Sequence, residues 1–232
     1  TAAYIPLINR NEVQFGFCNL VEAGYALTGT GNFAGRQNPN LQLVGVMFPL
    51  RTGLMVAADS GIKTIQDLKA KSKGLRIASE YTSSTIIKYY IEGALANGGM
   101  TYADFKPVPV SGFVKGMAAL GDGLVDVTLI SLNSAGGKKV NSQLRARGGI
   151  QYVSLDDSPA GQKLFQALLP AATIIHMKAN DKIPGLIQAA NIIEIPWVMV
   201  TNKDAPEALV YSMTKAVAEN QKELGDTFGA FK

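Results

Sequence analysis

One local arrangement recurs along this chain and limits its folds more than any other feature. An apolar strand runs into a cluster of small polar residues, and those residues open a helix. Leu75-Arg76-Ile77-Ala78 leads into Ser79-Glu80-Tyr81-Thr82-Ser83-Ser84-Thr85, and Val125 to Ile130 leads into Ser131-Leu132-Asn133-Ser134-Ala135-Gly136-Gly137. A weaker copy runs from Val13 to Cys18, then Asn19, then an apolar helical stretch. Strands alternating with helices predict an α/β protein with substantially parallel sheets. The first N–H groups of a helix have no partner inside it and carry partial positive charge. Hydroxyls and N–H groups gathered at strand ends of an open sheet therefore suit a small anion.

Composition narrows the chemistry. The chain has 232 residues, 47% hydrophobic and 17% charged, with a net charge of +4. This is enough apolar material for one large domain or two small ones. No run approaches the ~18 apolar residues of a membrane helix, and no signal peptide stands at the N-terminus. The mild basicity fits attraction of anions. The densest basic cluster, Lys69, Lys71, Lys73 and Arg76, reads as a solvated helix end rather than a nucleic-acid patch. The single cysteine, Cys18, excludes an internal disulfide and reads as a buried thiol in a strand. With one histidine, His176, and no cysteine or carboxylate cluster beside it, neither a metal site nor a cofactor is expected.

Further elements follow from pattern. Asn11–Cys18 alternates as a strand, and residues 20–27 form a short helix before Thr28-Gly29-Thr30-Gly31. Leu41–Phe48 and Leu54–Ala57 read as two strand pieces interrupted at Pro49–Gly53. Thr64-Ile65-Gln66-Asp67 reads as a capping box. Ile86, Ile87, Tyr90, Ile91, Ala94 and Leu95 make a helical stripe, and Ser111 is expected to cap the next helix. Asp156-Asp157-Ser158-Pro159 opens another helix, and one more begins after Pro206.

Several ordered segments resemble a known family. They are Asn11–Tyr25 (NEVQFGFCNLVEAGY), Phe48–Val56 (FPLRTGLMV), Asp59–Lys69 (DSGIKTIQDLK) and Gly74–Ser79 (GLRIAS). Ser111–Val127 and Ile195–Asn202 continue the series. The set resembles the TAXI group of solute receptors, which serve tripartite ATP-independent periplasmic (TRAP) transporters. The resemblance implies a type II periplasmic-binding-protein fold, with two lobes joined by crossing hinge strands and the ligand in a cleft between them. It places the first lobe at 1–73 with 193–232 returning to it, and the second at 74–192. It implies a periplasmic, non-enzymatic receptor for a small organic anion, a glutamate-like amino acid or a dicarboxylate. Its other partners would be the membrane subunits of a TRAP transporter. The N-terminal strand and polar loop usual in such receptors have no match here, so the chain is expected to be truncated at that end.

The expected ligand contacts combine both readings. Thr82, Ser83, Ser84 and Thr85 match the family's second-lobe loop, and their hydroxyls would hold a carboxylate; any one of them is equally suited to plain N-capping. Ser131 and Asn133 follow the next parallel strand, where a polar surface turn is the alternative. Asn19 occupies the position of a first-lobe polar contact, or caps a helix. Arg51 offers a guanidinium that can grip a carboxylate with two hydrogen bonds, or it is salt-bridged. Tyr81 would close over the ligand, or pack on the lobe. Two other classes remain: an enzyme on the same fold, for which Glu80 is the only acid beside the main loop, and the effector-sensing domain of a regulator.

Overall fold

The computed structural model describes residues 3–227 and 229–231. In chain order the elements are α1 (Ile5–Asn9), β1 (Phe15–Asn19), α2 (Leu20–Thr28), β2 (Leu41–Ala57), α3 (Ile65–Lys71), β3 (Arg76–Glu80), α4 (Ile86–Asn97), β4 (Lys106–Val110), α5 (Phe113–Gly121), β5 (Thr128–Ser131), α6 (Ala135–Gln143), β6 (Ile150–Tyr152), α7 (Pro159–Leu168), β7 (Thr173–Met177), β8 (Ala190–Asn202), α8 (Glu207–Glu219) and α9 (Gln221–Thr227). The chain divides into two compact units, Thr1–Leu50 with Ile195–Lys232, and Arg51–Glu194. The second unit thus begins at Arg51 and not at residue 74. The reason is that Thr52–Ala57 of β2 is hydrogen-bonded to β5 and β6. Strands β2 and β8 each run through a boundary between the units.

In the first unit β1 pairs antiparallel with β8, from Phe15↔Thr201 to Asn19↔Trp197. One face of this sheet buries Cys18, Val198 and Val200 against Ile5, Ile8, Ala23, Ala26 and Phe33. Cys18 is a core thiol, and burial pushes its pKa up to about 12. On the opposite face Trp197 stacks on Phe48, with ring centroids 5.9 Å apart. Pro49 does not break β2, which is one continuous strand from Leu41 to Ala57. An edge position tolerates a residue without an N–H.

The second unit holds the parallel part of the fold. Strands β3 and β4 pair in parallel, from Arg76↔Lys106 to Glu80↔Val110. A parallel bridge at Ile77↔Val127, with Ala78 N–H donating to Val127 O at 3.0 Å, ties β3 to the segment entering β5. The expectation of mostly parallel sheets is otherwise corrected. β2 pairs antiparallel with β5 and β6, and β7 with β8. Periodicity identifies strands but not their direction, which long-range chain return decides. Arg76 fixes the start of β3 on Asp126, its Nη2 donating to Oδ1 at 2.7 Å and its Nε to Oδ2 at 3.0 Å. Burial alone would raise the Asp126 pKa, but these bonds outweigh it and hold the carboxyl below its usual range.

The local helix signals at Thr64 and Ser158 are present as expected, Thr64 and Asp67 closing a full capping box. At Ser111 the expectation is corrected. Gly112 is the N-cap of α5, and no side chain caps it.

Candidate functional site

Three strands of the second unit, β4, β3 and β5, point their carboxyl ends the same way, because both links to β3 are parallel. Each end runs through a short polar loop into a helix, α5, α4 and α6 respectively. One edge of the unit thus gathers three helix starts. In an open α/β sheet this is where small ligands bind.

The loop between β3 and α4 is built to stay open. Glu80 and Tyr81 are both left-handed, with φ of 65° and 50°. Residues with a Cβ adopt this region at a cost of about 1–2 kcal/mol each. Two in succession lift the chain sharply out of the strand. The Tyr81 ring is buried, and its hydroxyl meets Thr128 Oγ1 at 3.0 Å. Gly116 of α5 makes room for it, since a Cβ there would come within 2.8 Å of the Tyr81 hydroxyl. Burial pushes the Tyr81 pKa up to about 12, against the opposing Thr128 hydrogen bond. Tyr81 therefore anchors the loop from below and is a packing residue in this structure.

Beyond Tyr81 the loop presents polar groups. Ser83 is tied to the neighbouring loop, its N–H and Oγ both donating to Ser111 O, at 2.8 and 2.5 Å. Ser84 N–H donates to Tyr81 O at 2.7 Å. Thr85 is the N-cap of α4 but makes no side-chain capping bond. Among the described residues, the hydroxyls of Thr82, Ser84 and Thr85 and the N–H groups of Thr82, Thr85 and Ile86 have no protein partner. At the start of α5, the N–H groups of Phe113, Val114 and Lys115 likewise donate to no protein acceptor, and Lys115 adds an exposed ammonium. These residues escaped the sequence reading. The signal was present as Ser-Gly-Phe-Val-Lys after a strand, where glycine leaves a helix start uncapped.

The third loop follows the same plan. Ser131 ends β5 opposite Thr52, and Leu132 N–H donates to Arg51 O at 2.8 Å. Asn133 is exposed and left-handed, with φ of 54°. The capping of α6 falls to Ser134, whose Oγ accepts from Gly137 N–H at 3.1 Å. This leaves the side chains of Ser131 and Asn133 uncommitted among the described residues. Arg51 is thus brought beside this loop. Its Nε donates to Glu194 Oε2 at 2.8 Å, while its terminal nitrogens make no hydrogen bond among the described residues.

Asn19 lies in the first unit and is fully committed there. It is buried, its Oδ1 accepts from Glu22 N–H at 2.7 Å, and its Nδ2 donates to Glu22 Oε2 at 3.2 Å. Glu22 is itself 1% exposed and also accepts from Asn32 Nδ2 at 2.9 Å. Among the described residues no group of histidine, cysteine and carboxylates is arranged to hold a metal ion. No helix among them is long and apolar enough to cross a membrane.

A family comparison matches residues 2–232. The chain belongs to the NMT1-like family. Its fold is similar to that of a binding-protein component of an ABC phosphonate transporter from Pseudomonas aeruginosa. The two share 12% identity over 92% of this chain and 59% of that one, with a TM-score of 0.50. A TctC solute-binding protein from Polaromonas matches at 14% identity, over 88% and 62%, with a TM-score of 0.51. An ancestral arginine-binding protein solved with arginine matches at 13% identity, over 99% and 73%, with a TM-score of 0.51. The chain therefore spans about three fifths of the first two. This family member has the periplasmic-binding-protein fold, two α/β units with strands running from one to the other.

Proposed function

We propose that this chain is a TAXI-type solute receptor that captures a small organic anion outside the cytoplasm and delivers it to a TRAP-type transporter, without chemical turnover. The observation that carries this reading is the carboxyl edge of β4, β3 and β5. There, at the ends of the paired strands β3 and β4, the uncapped starts of α4 and α5, the hydroxyls of Thr82, Ser84 and Thr85 and the exposed Lys115 ammonium have no hydrogen-bond partner among the described residues. Such groups hold an anion by charge-assisted hydrogen bonds. Thr82, Ser84 and Thr85 would bind one acidic group, with Ser83 fixing the loop on Ser111. The free guanidinium nitrogens of Arg51, with Ser131 and Asn133, would bind a second. Two acidic groups favour a dicarboxylate or a glutamate-like amino acid; Asn19 would serve as a structural cap. The similarity to solute-binding proteins supports binding rather than catalysis.

The test is a thermal-shift and calorimetric screen against succinate, glutamate, aromatic acids, phosphonates and phosphate. A ligand at 100 times its Kd stabilises the native state by about 2.7 kcal/mol. A saturable shift with one anion, weakened at least tenfold by Thr85→Ala and by Arg51→Ala, supports the reading. An unshifted melting curve with every anion, in a sample that is folded by circular dichroism, overturns it.

A further inference from the structure

Two long strands of this chain carry one charged residue each, and those two residues meet. Arg51 is the one charged residue among the 17 of β2, and Glu194 the one among the 13 of β8. They are 143 positions apart in sequence, and Arg51 Nε donates to Glu194 Oε2 at 2.8 Å. Both stand on inner strands of their sheet. Strand β2 lies between β8 and β5, and Glu194 is itself paired with Thr173 of β7. Ile193 and Ile195, on either side of Glu194, are fully buried, which fixes the backbone that carries it.

The pair differs from the other arginine–carboxylate pairs among the described residues. Arg76 commits Nε and Nη2 to Asp126 and Nη1 to Gly123 O. Arg147 grips Asp59, and Arg10 grips Glu12, each through Nε and Nη2. Two parallel bonds are the stronger arrangement for such a pair. Arg51 instead touches Glu194 through Nε alone, the inner nitrogen, and its terminal nitrogens make no hydrogen bond among the described residues. The two side chains are 40% and 25% exposed, so solvent reaches them. Arg51 O accepts from Leu132 N–H at 2.8 Å, which sets this arginine beside Ser131 and Asn133. We infer that Glu194 is a positioning residue for anion capture, tethering Arg51 by Nε so that its terminal nitrogens stay free and oriented for an acid group of the ligand. This rests on the reading that Arg51 binds one such group. An untethered arginine samples many rotamers, and binding must then select one of them; the tether makes that selection in advance. Glu194 also carries a charge that opposes an incoming anion. Substitution separates the two effects, because glutamine keeps an oxygen acceptor for Nε without the charge, whereas alanine removes both.

The experiment is calorimetric titration with succinate and with glutamate of the parent chain, Glu194→Ala, Glu194→Gln, Arg51→Ala and the double variant Arg51→Ala with Glu194→Ala. Glu194→Ala should weaken binding of the acid that the parent takes by about tenfold. Glu194→Gln should bind it at least as tightly as the parent. In the Arg51→Ala chain, Glu194→Ala should have no further effect, since its action passes through Arg51. Weaker binding in both Glu194 variants, persisting without Arg51, would mean a merely structural pair and overturns the inference. Tighter binding in both would mean that Glu194 only repels the anion, and overturns it equally. Binding weakened by Arg51→Ala but indifferent to Glu194→Ala overturns this inference and leaves the receptor reading standing. Binding of neither acid overturns the inference together with the reading of two acidic groups.

Discussion

The junctions β1–α2 and β3–α4 carry the same sequence signature, an apolar strand followed by a small polar residue and a helix, yet the structure finishes them in opposite ways. At β1–α2, Asn19 closes its own helix and holds the buried Glu22 carboxylate. At β3–α4, two left-handed residues lift the chain away, and Thr85 stands at the cap position with its hydroxyl unused. A cap that is satisfied is architecture. A helix start of the same composition that is left unsatisfied is a place for something else to bind. Residue type therefore does not distinguish a cap from a contact; the local backbone path does.

Substitutions at the two junctions should separate these roles. The largest effect is expected at the closed one. Asn19→Ala removes a cap bond worth about 1–2 kcal/mol and a hydrogen bond to a buried carboxylate. The loss should reach about 2–3 kcal/mol in urea unfolding, and an unchanged midpoint would break the comparison. Next is the ion pair that fixes β3. Asp126→Asn should cost about 1–2 kcal/mol, discounted for the partial exposure of both partners. The Asp126 pKa is depressed in the folded state. Its stabilisation is thus complete above the unfolded value, near 3.9, and lost as pH falls through the folded value. The variant should lose stability at pH 7 and differ less from the parent as the solution is acidified, which a pH series of melting curves reads.

At the open junction the signs change. Glu80→Gly should stabilise by about 1 kcal/mol, since glycine adopts φ of 65° without strain. A loss of that size instead would mean that the Glu80 side chain holds the loop. The smallest effect is expected at Thr85→Ala, within about 0.5 kcal/mol of the parent, because the hydroxyl makes no capping bond. Stability should be kept while affinity for the anion falls. A drop of 1 kcal/mol or more would show Thr85 to be an ordinary cap.

Sequence by itself determined what short-range rules control. The helix starts at Thr64 and Ser158, the helical stripe of α4, the buried thiol of Cys18 and the alternation of strands with helices all follow from spacing and capping chemistry. That chemistry acts within a few residues. The polar loops after β3 and β5 were also legible, because hydroxyl and amide residues stand out after an apolar strand. Only the tertiary structure decided three further matters. The path of β2 through Pro49 and its return pairings moved the second unit's start to Arg51. The inward turn of Tyr81 depends on Thr128 and on the space left by Gly116, both distant in sequence. The choice of Glu194 as partner for Arg51 and of Glu22 for Asn19 fixed which polar groups remain free. Satisfaction of a buried or half-buried polar group depends on what the fold places within 3 Å of it, and that distance is set by the whole chain.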